Sequence, residues 1–354
     1  MVPSLLKYSL VNKETPRAPS LPASVSINYA VQQAVIMSLT DPSTTFWRAY
    51  WIVKEHCPSI SITCAPKIDT WHALKLVLPH IISLHDKTKG EQFMKIAGKD
   101  GILPPLSSLL VEATIILWHD GNFREAMRIA KSAEEIMQKS DHLVNTERAD
   151  LEMIISRLER FRGLEMRRES MERLKRACDI WEALGEPSSI RIANLELAEA
   201  ALQEGKTNEA ERGYGEFLRV STPPVTLEEC VLCAKSRLGK SLCHLFKGYI
   251  EAACDEAVEV QRALKGCGGD LLATHRLEFG VACVFFQAGW FEQALKLHKG
   301  VFELRKQRFG ELSVWTILSR YAIASLYIWC KDYAKAKYPL TPPPSIVKSI
   351  LTNY

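Results

Sequence analysis

The sequence predicts an all-α protein, an α-solenoid of about six helix pairs, and three observations carry that prediction. The first is a motif that returns on a fixed ruler. Gly121-Asn122-Phe123-Arg124-Glu125-Ala126, Gly205-Lys206-Thr207-Asn208-Glu209-Ala210 and Gly289-Trp290-Phe291-Glu292-Gln293-Ala294 are spaced 84 residues apart. Half that spacing, 42 residues, lands on Gly163, one short of Gly248, and on Lys331-Asp332-Tyr333-Ala334-Lys335-Ala336. Fixed periods of this size are the signature of stacked repeats. The second is a stretch of helical apolar pattern before each mark, as from Leu109 to Trp118. The third is paired small residues. Ala113, Ala198, Ala282 and Ala324 precede the marks, and Ala126, Ala210, Ala294 and Ala336 follow them, so two helices can approach closely.

Taken in order, residues 1–40 differ from the rest. Leu5 to Val11 is short and strand-like, Pro16 to Pro22 forms a Pro-rich link, and Val25-Ser26-Ile27 offers a second strand before an apolar helix from Ala30 to Met37. Residues 41–104 make a helical spacer. Asp41-Pro42-Ser43 opens a helix through Trp47, Trp51 and Val53, with proline at the tolerated first position, and Trp71 to His85 forms another. The repeats span 105–338, all but the last with a glycine at or beside the mark able to take the left-handed turn that ends a helix. The second copy is irregular, with Arg168 where alanine is expected. The fourth carries Leu238-Gly239 ahead of the ruler, which suggests a small insertion. Residues 339–354 are a tail in which Pro339 and Pro342-Pro343-Pro344 stop the last helix.

This pattern resembles tetratricopeptide repeats of the longer-period kind found in kinesin light chains. The first hundred residues resemble fungal STAND-type receptors, in which a nucleotide-binding NB-ARC core precedes a winged-helix end, a helical spacer and such repeats. Ser26-Ile27-Asn28-Tyr29-Ala30-Val31-Gln32 and Trp71 through Leu78-Pro79-His80 match that layout. The family commonly has a His, associated with contacting nucleotide, near the position of Asn28, and this sequence departs from it by having none there. The resemblance implies a winged-helix-like remnant over 1–40, a receptor's sensing half without its ATPase core, and a role in signal transduction. The alternative is the C-terminal part of a STAND signalling ATPase whose nucleotide-binding domain lies outside this chain.

Composition narrows the function classes. Of the 354 residues, 47% are hydrophobic and 24% charged, which is globular composition. A net charge of +4 is too small to demand a polyanionic partner, so nucleic acid is not expected. Ten cysteines within helical patterns fit a reduced, cytoplasmic protein, and no apolar run is long enough for a membrane span. Ala234 to Ser241 approaches a phosphate-binding loop but lacks its first glycine and a preceding strand. Cys230, Cys233, Cys243, His244 and Cys254 lie along successive helices rather than in a zinc-binding loop, and core packing explains them. Gly266-Cys267-Gly268-Gly269 reads as an inter-repeat loop, and His119-Asp120 as a helix end where a histidine suits the dipole. No arrangement suggests catalysis or a cofactor, so the expectation is a non-enzymatic protein-binding scaffold.

Residues 157–176 hold eight Arg/Lys and four Glu. They read as a solvated helix face with Glu169–Arg173 and Glu172–Arg176 pairs, or else as a docking patch for an acidic partner. In solenoids of the resembled kind, the first helix of each pair lines a concave groove. Threading the repeat onto those helices places Trp118, Met153, Arg157, Arg160, Leu195, Glu199, Lys240, His244, Arg276, Phe279, Phe286, Tyr321 and Trp329 there. Aromatic anchors among mostly basic groups predict a protein or peptide partner with an acidic, partly hydrophobic segment. Self-association is compatible with the same surface.

Overall fold

The computed structural model describes residues 11–14, 24–27 and 41–340, except 59, 61, 63–65, 89–100, 140–145, 163, 221–225 and 267–271. Among them, strands β1 (Val11–Glu14) and β2 (Ser24–Ile27) form an antiparallel hairpin with Val11 opposite Ile27. The expected helix from Ala30 to Met37, most of the winged-helix-like segment, the loop after Gly266 and the tail beyond Leu340 lie outside the described residues. Helix α1 (Pro42–His56) opens where the sequence places it. The Asp41 carboxylate caps it, accepting from the Ser43 and Thr44 backbone N–H groups at 3.0 and 3.2 Å. Helix α2 (Ile68–Thr88) follows.

Six antiparallel pairs come next: α3 (Leu103–Asp120) with α4 (Phe123–Lys139), α5 (Thr146–Arg162) with α6 (Arg167–Leu184), α7 (Pro187–Gln203) with α8 (Thr207–Val220), α9 (Leu227–Phe246) with α10 (Ile250–Gly266), α11 (Thr274–Gln287) with α12 (Phe291–Phe309), and α13 (Val314–Trp329) with α14 (Tyr333–Leu340). At the turn inside the first pair, Gly121 takes φ 83°. Its N–H bonds back to the Trp118 carbonyl, and the Asn122 N–H bonds to that of Leu117. This left-handed stop satisfies two carbonyls that the helix end would otherwise orphan. Gly205, Gly248 and Gly289 repeat it, and Lys331 adopts the same turn at φ 60°.

All eight alanines of the ruler are buried, none more than 4% exposed. In the irregular second pair the small residues are serines. Ser156 on α5 and Ser170 on α6 meet through their hydroxyls at 2.7 Å, and a short 3-10 turn (Leu164–Met166) shifts the second helix. In the fourth pair, Ser241 donates to the Ala253 carbonyl at 2.6 Å. Leu238-Gly239 is not the turn of the fourth pair, which falls at Gly248, one residue past the ruler. Gly239 lies inside α9 because the Tyr214 ring covers it; an added Cβ would stand 2.2 Å from that ring. Likewise α14 runs to Leu340, one residue beyond the expected stop at Pro339.

First helices pack on the next first helices (α3 on α5, α7 on α9, α9 on α11) more closely than second helices pack on one another, so the array curves with the first helices inside. The curve brings the two ends together. Trp315 at the start of α13 donates its indole N–H to the His119 carbonyl at the end of α3, at 2.9 Å. Around this bond, Trp71 stands edge-on to His119 and Phe309, His275 to Phe309 and Trp315, and Phe123 to Trp315. The Leu272 N–H adds a bond to the Pro66 carbonyl at 3.0 Å. The result is one closed superhelical turn.

Candidate functional site

A ladder of charge runs along the inner face from α5 to α9. Glu196 on α7 is 1% exposed and receives Arg157 Nη2 at 2.9 Å, Lys235 Nζ at 2.5 Å and the Arg160 guanidinium. Lys235 also reaches Glu199 at 2.7 Å. Burial alone would raise the Glu196 carboxyl, but Arg157, Lys235 and Arg160 hold it well below the usual range. Glu199 is lowered in the same way, against its own burial, by Lys235 and Arg160. Arg157 donates once more, to the Ile62 carbonyl at 3.1 Å, which fastens the spacer's edge to the ladder.

Arg276 on α11 completes the cluster, and it differs from the others. Its guanidinium lies over the Trp118 ring at 4.1 Å and near Trp315 at 5.7 Å, while Nη2 donates to His119 Nδ1 at 3.3 Å. Arg157 stacks on Trp118 from 5.2 Å. Among the described residues no carboxylate pairs with Arg276, although the side chain retains partial access to the interior. Desolvation, with Arg157 adding repulsion, depresses its pKa to about 9. The same burial keeps His119 neutral, with Arg276 and Arg157 nearby pushing its pKa further down. His119 therefore does not serve its helix end as a cation. It accepts from Arg276 and presents its carbonyl to Trp315.

The cluster thus unites five of the sequence-predicted residues: Trp118, Arg157, Arg160, Glu199 and Arg276. Others fall elsewhere. Met153 and Leu195 are core, 0% and 1% exposed. Lys240 turns to its own second helix and pairs with Glu256 at 2.8 Å. His244 meets Glu211 of α8 at 3.1 Å. Phe279 packs inside its repeat against His298 and Arg305. Phe286 and Trp329 meet edge-on at 5.9 Å near the turns, and Tyr321 stands exposed and apart. The physical reason is rotation. Five residues along a helix turn the side chain by roughly 140°, so Lys235 faces the interior and Lys240 does not.

Sequence reasoning missed Glu196, Lys235 and Trp315. A buried glutamate that collects three cations gives no local signal, and the Trp315–His119 bond spans 196 residues. The basic segment also departs from the solvated-face reading. Arg173 is buried among Glu134, Glu152 and Glu159, while Arg176 turns to Glu152 rather than Glu172. The weak Glu169–Arg173 contact is present at 3.9 Å. The near-phosphate-loop residues Ala234–Ser241 lie inside α9. Cys243 and Cys254 are buried free thiols there and on α10, and among the described residues no group of three His, Cys, Asp or Glu side chains could hold a metal.

No family profile matches the sequence, and no curated protein matches it. Solved structures share its fold. NprR in complex with its cognate peptide NprX superposes with a TM-score of 0.60 at 13% identity, covering 89% of this chain and 82% of that one. The two coil alike over nearly their whole lengths. This chain is a tetratricopeptide-type α-solenoid. A Rap protein complexed with competence and sporulation factor gives a TM-score of 0.58 at 13% identity, over 92% of this solenoid and 81% of that chain. The apo form of the quorum sensor NprR from B. thuringiensis gives 0.51 at 12%, over 88% and 90%. No described helix of this solenoid is long and apolar enough to cross a membrane.

Proposed function

We propose that this solenoid is a non-enzymatic interaction scaffold of the cytoplasm that takes a protein or peptide segment, an acidic one, into its superhelical interior. The observation that carries the reading is Arg276, a half-buried cation with aromatic walls and no carboxylate partner among the described residues. Four cations, Arg157, Arg160, Lys235 and Arg276, face two carboxylates there, which leaves this cluster of described residues with an excess of positive charge. The first NprR structure named above is in complex with its cognate peptide, which supports a peptide segment as the ligand class.

The resemblance of residues 26–80 to STAND receptors supports a larger role. In that reading the solenoid is the sensing half of an NLR-like, NB-ARC-linked signalling protein of fungal type, and ligand capture is passed to an ATPase. Selection from a random peptide library tests the binding step. Recovered peptides enriched in Asp and Glu, and competing with one another, agree with it. Recovery of basic peptides, or of none, rejects it.

A further inference from the structure

We infer that Arg276 is the anchor for one ligand carboxylate, an Asp or Glu side chain of a bound segment, received between Trp118 and the inner charge ladder. The inference rests on the peptide-binding reading above and adds the residue and the charge of the group it takes. A guanidinium carries five N–H donors in a planar fork suited to a carboxylate. Arg276 spends one on His119. Its other donors have no protein partner among the described residues, and none is sealed from the interior.

Two comparisons sharpen the assignment. Arg305 is also a cation without a carboxylate, but it is 1% exposed, and it donates to His275 Nδ1, Ser319 Oγ and the carbonyls of Trp315 and His275. It is a structural tie, with four of its five donors used and the side chain closed off. Arg157, Arg160 and Lys235 already hold Glu196 and Glu199. Arg276 is the one cation of the cluster that touches no carboxylate among the described residues, and a single guanidinium fork matches a single carboxylate, so the fitting ligand group is a monoanion. The buried Trp118 indole N–H has no acceptor among the described residues either, so a second unmet donor lies beside the first.

The anchor also joins distant parts of the chain. Trp118 and His119 come from α3, Arg276 from α11 and Trp315 from α13, so the site is complete only in the closed turn. The test uses the full chain and three peptide pools with blocked ends and identical random flanks, carrying a central Glu, Gln or phosphoserine. The Glu pool should bind at least ~30-fold more tightly than the Gln pool, as expected when one side of a desolvated charge pair is removed. Arg276→Gln should erase that preference, and Arg276→Lys should keep part of it. Equal binding of Glu and Gln pools, with or without Arg276→Gln, overturns the anchor while leaving the interior as a peptide site. A phosphoserine pool that binds tightest overturns the monoanion assignment. Binding by no pool removes both the anchor and the parent reading. If Arg276→Gln does not fold, the Nε–Hε resonance of Arg276 in the unaltered chain gives the answer. It should move with a Glu peptide and stay still with its Gln counterpart; movement with neither contradicts the inference.

Discussion

Lys331 carries the left-handed turn of the last helix pair at φ 60°, a conformation that costs a side-chain-bearing residue about 1–2 kcal/mol and glycine almost nothing. Lys331→Gly should therefore raise unfolding stability by about 1 kcal/mol, measured by urea denaturation; no gain would mean the turn is unstrained. Asp150 offers a second test. Burial, with Glu147 adding repulsion, raises its pKa to about 7 despite the opposing pull of Arg157. The folded chain then binds this proton more tightly than the unfolded chain, whose value lies near 3.8. Stability should fall as pH rises from about 4 to about 7 and level off above. Asp150→Asn should flatten that slope and add about 1–2 kcal/mol at pH 8. Residues of this kind were not legible in the sequence, because burial of a lone carboxylate depends on what the coil folds over it. The turn glycines and paired alanines were, since backbone handedness and close helix approach demand those residue types directly.

At the scale of elements, helix α6 shows where sequence patterning misleads. Charges at i and i+4 read as an exposed, self-stabilised face, yet Arg173 is drawn into the second pair by glutamates from α4 and α5. Its burial would depress the guanidinium pKa, but Glu134, Glu159 and Glu152 raise it instead. Arg173→Ala leaves those carboxylates without their cation, so it should cost about 3 kcal/mol, far above the few tenths of a surface pair. A loss below 0.5 kcal/mol, roughly the value of an exposed pair, would contradict the burial. The 42-residue ruler located most helix pairs because each repeats the same local chemistry. It could not set the rotation of each first helix about its axis. That is why Lys240 and His244 turn to neighbouring second helices while Lys235 and Glu196 hold the interior.

Across the whole molecule, the enclosed interior exists because the first and last pairs meet. Trp315 closes that junction with one hydrogen bond and contacts to Phe123 and His275. Trp315→Ala should cost about 3 kcal/mol in stability and open the coil, seen as a larger radius of gyration by small-angle scattering. An unchanged radius would show the closure does not depend on it. The central claim is that ligand lies inside the turn, and site-specific photocrosslinking tests it most directly. A photoreactive residue in place of Glu199, on the inner ladder, is compared with one in place of Glu303, exposed on α12. Acidic peptides from library selection should crosslink at 199 and not at 303. Crosslinking at 303 alone would place the ligand on the outer surface and contradict the account.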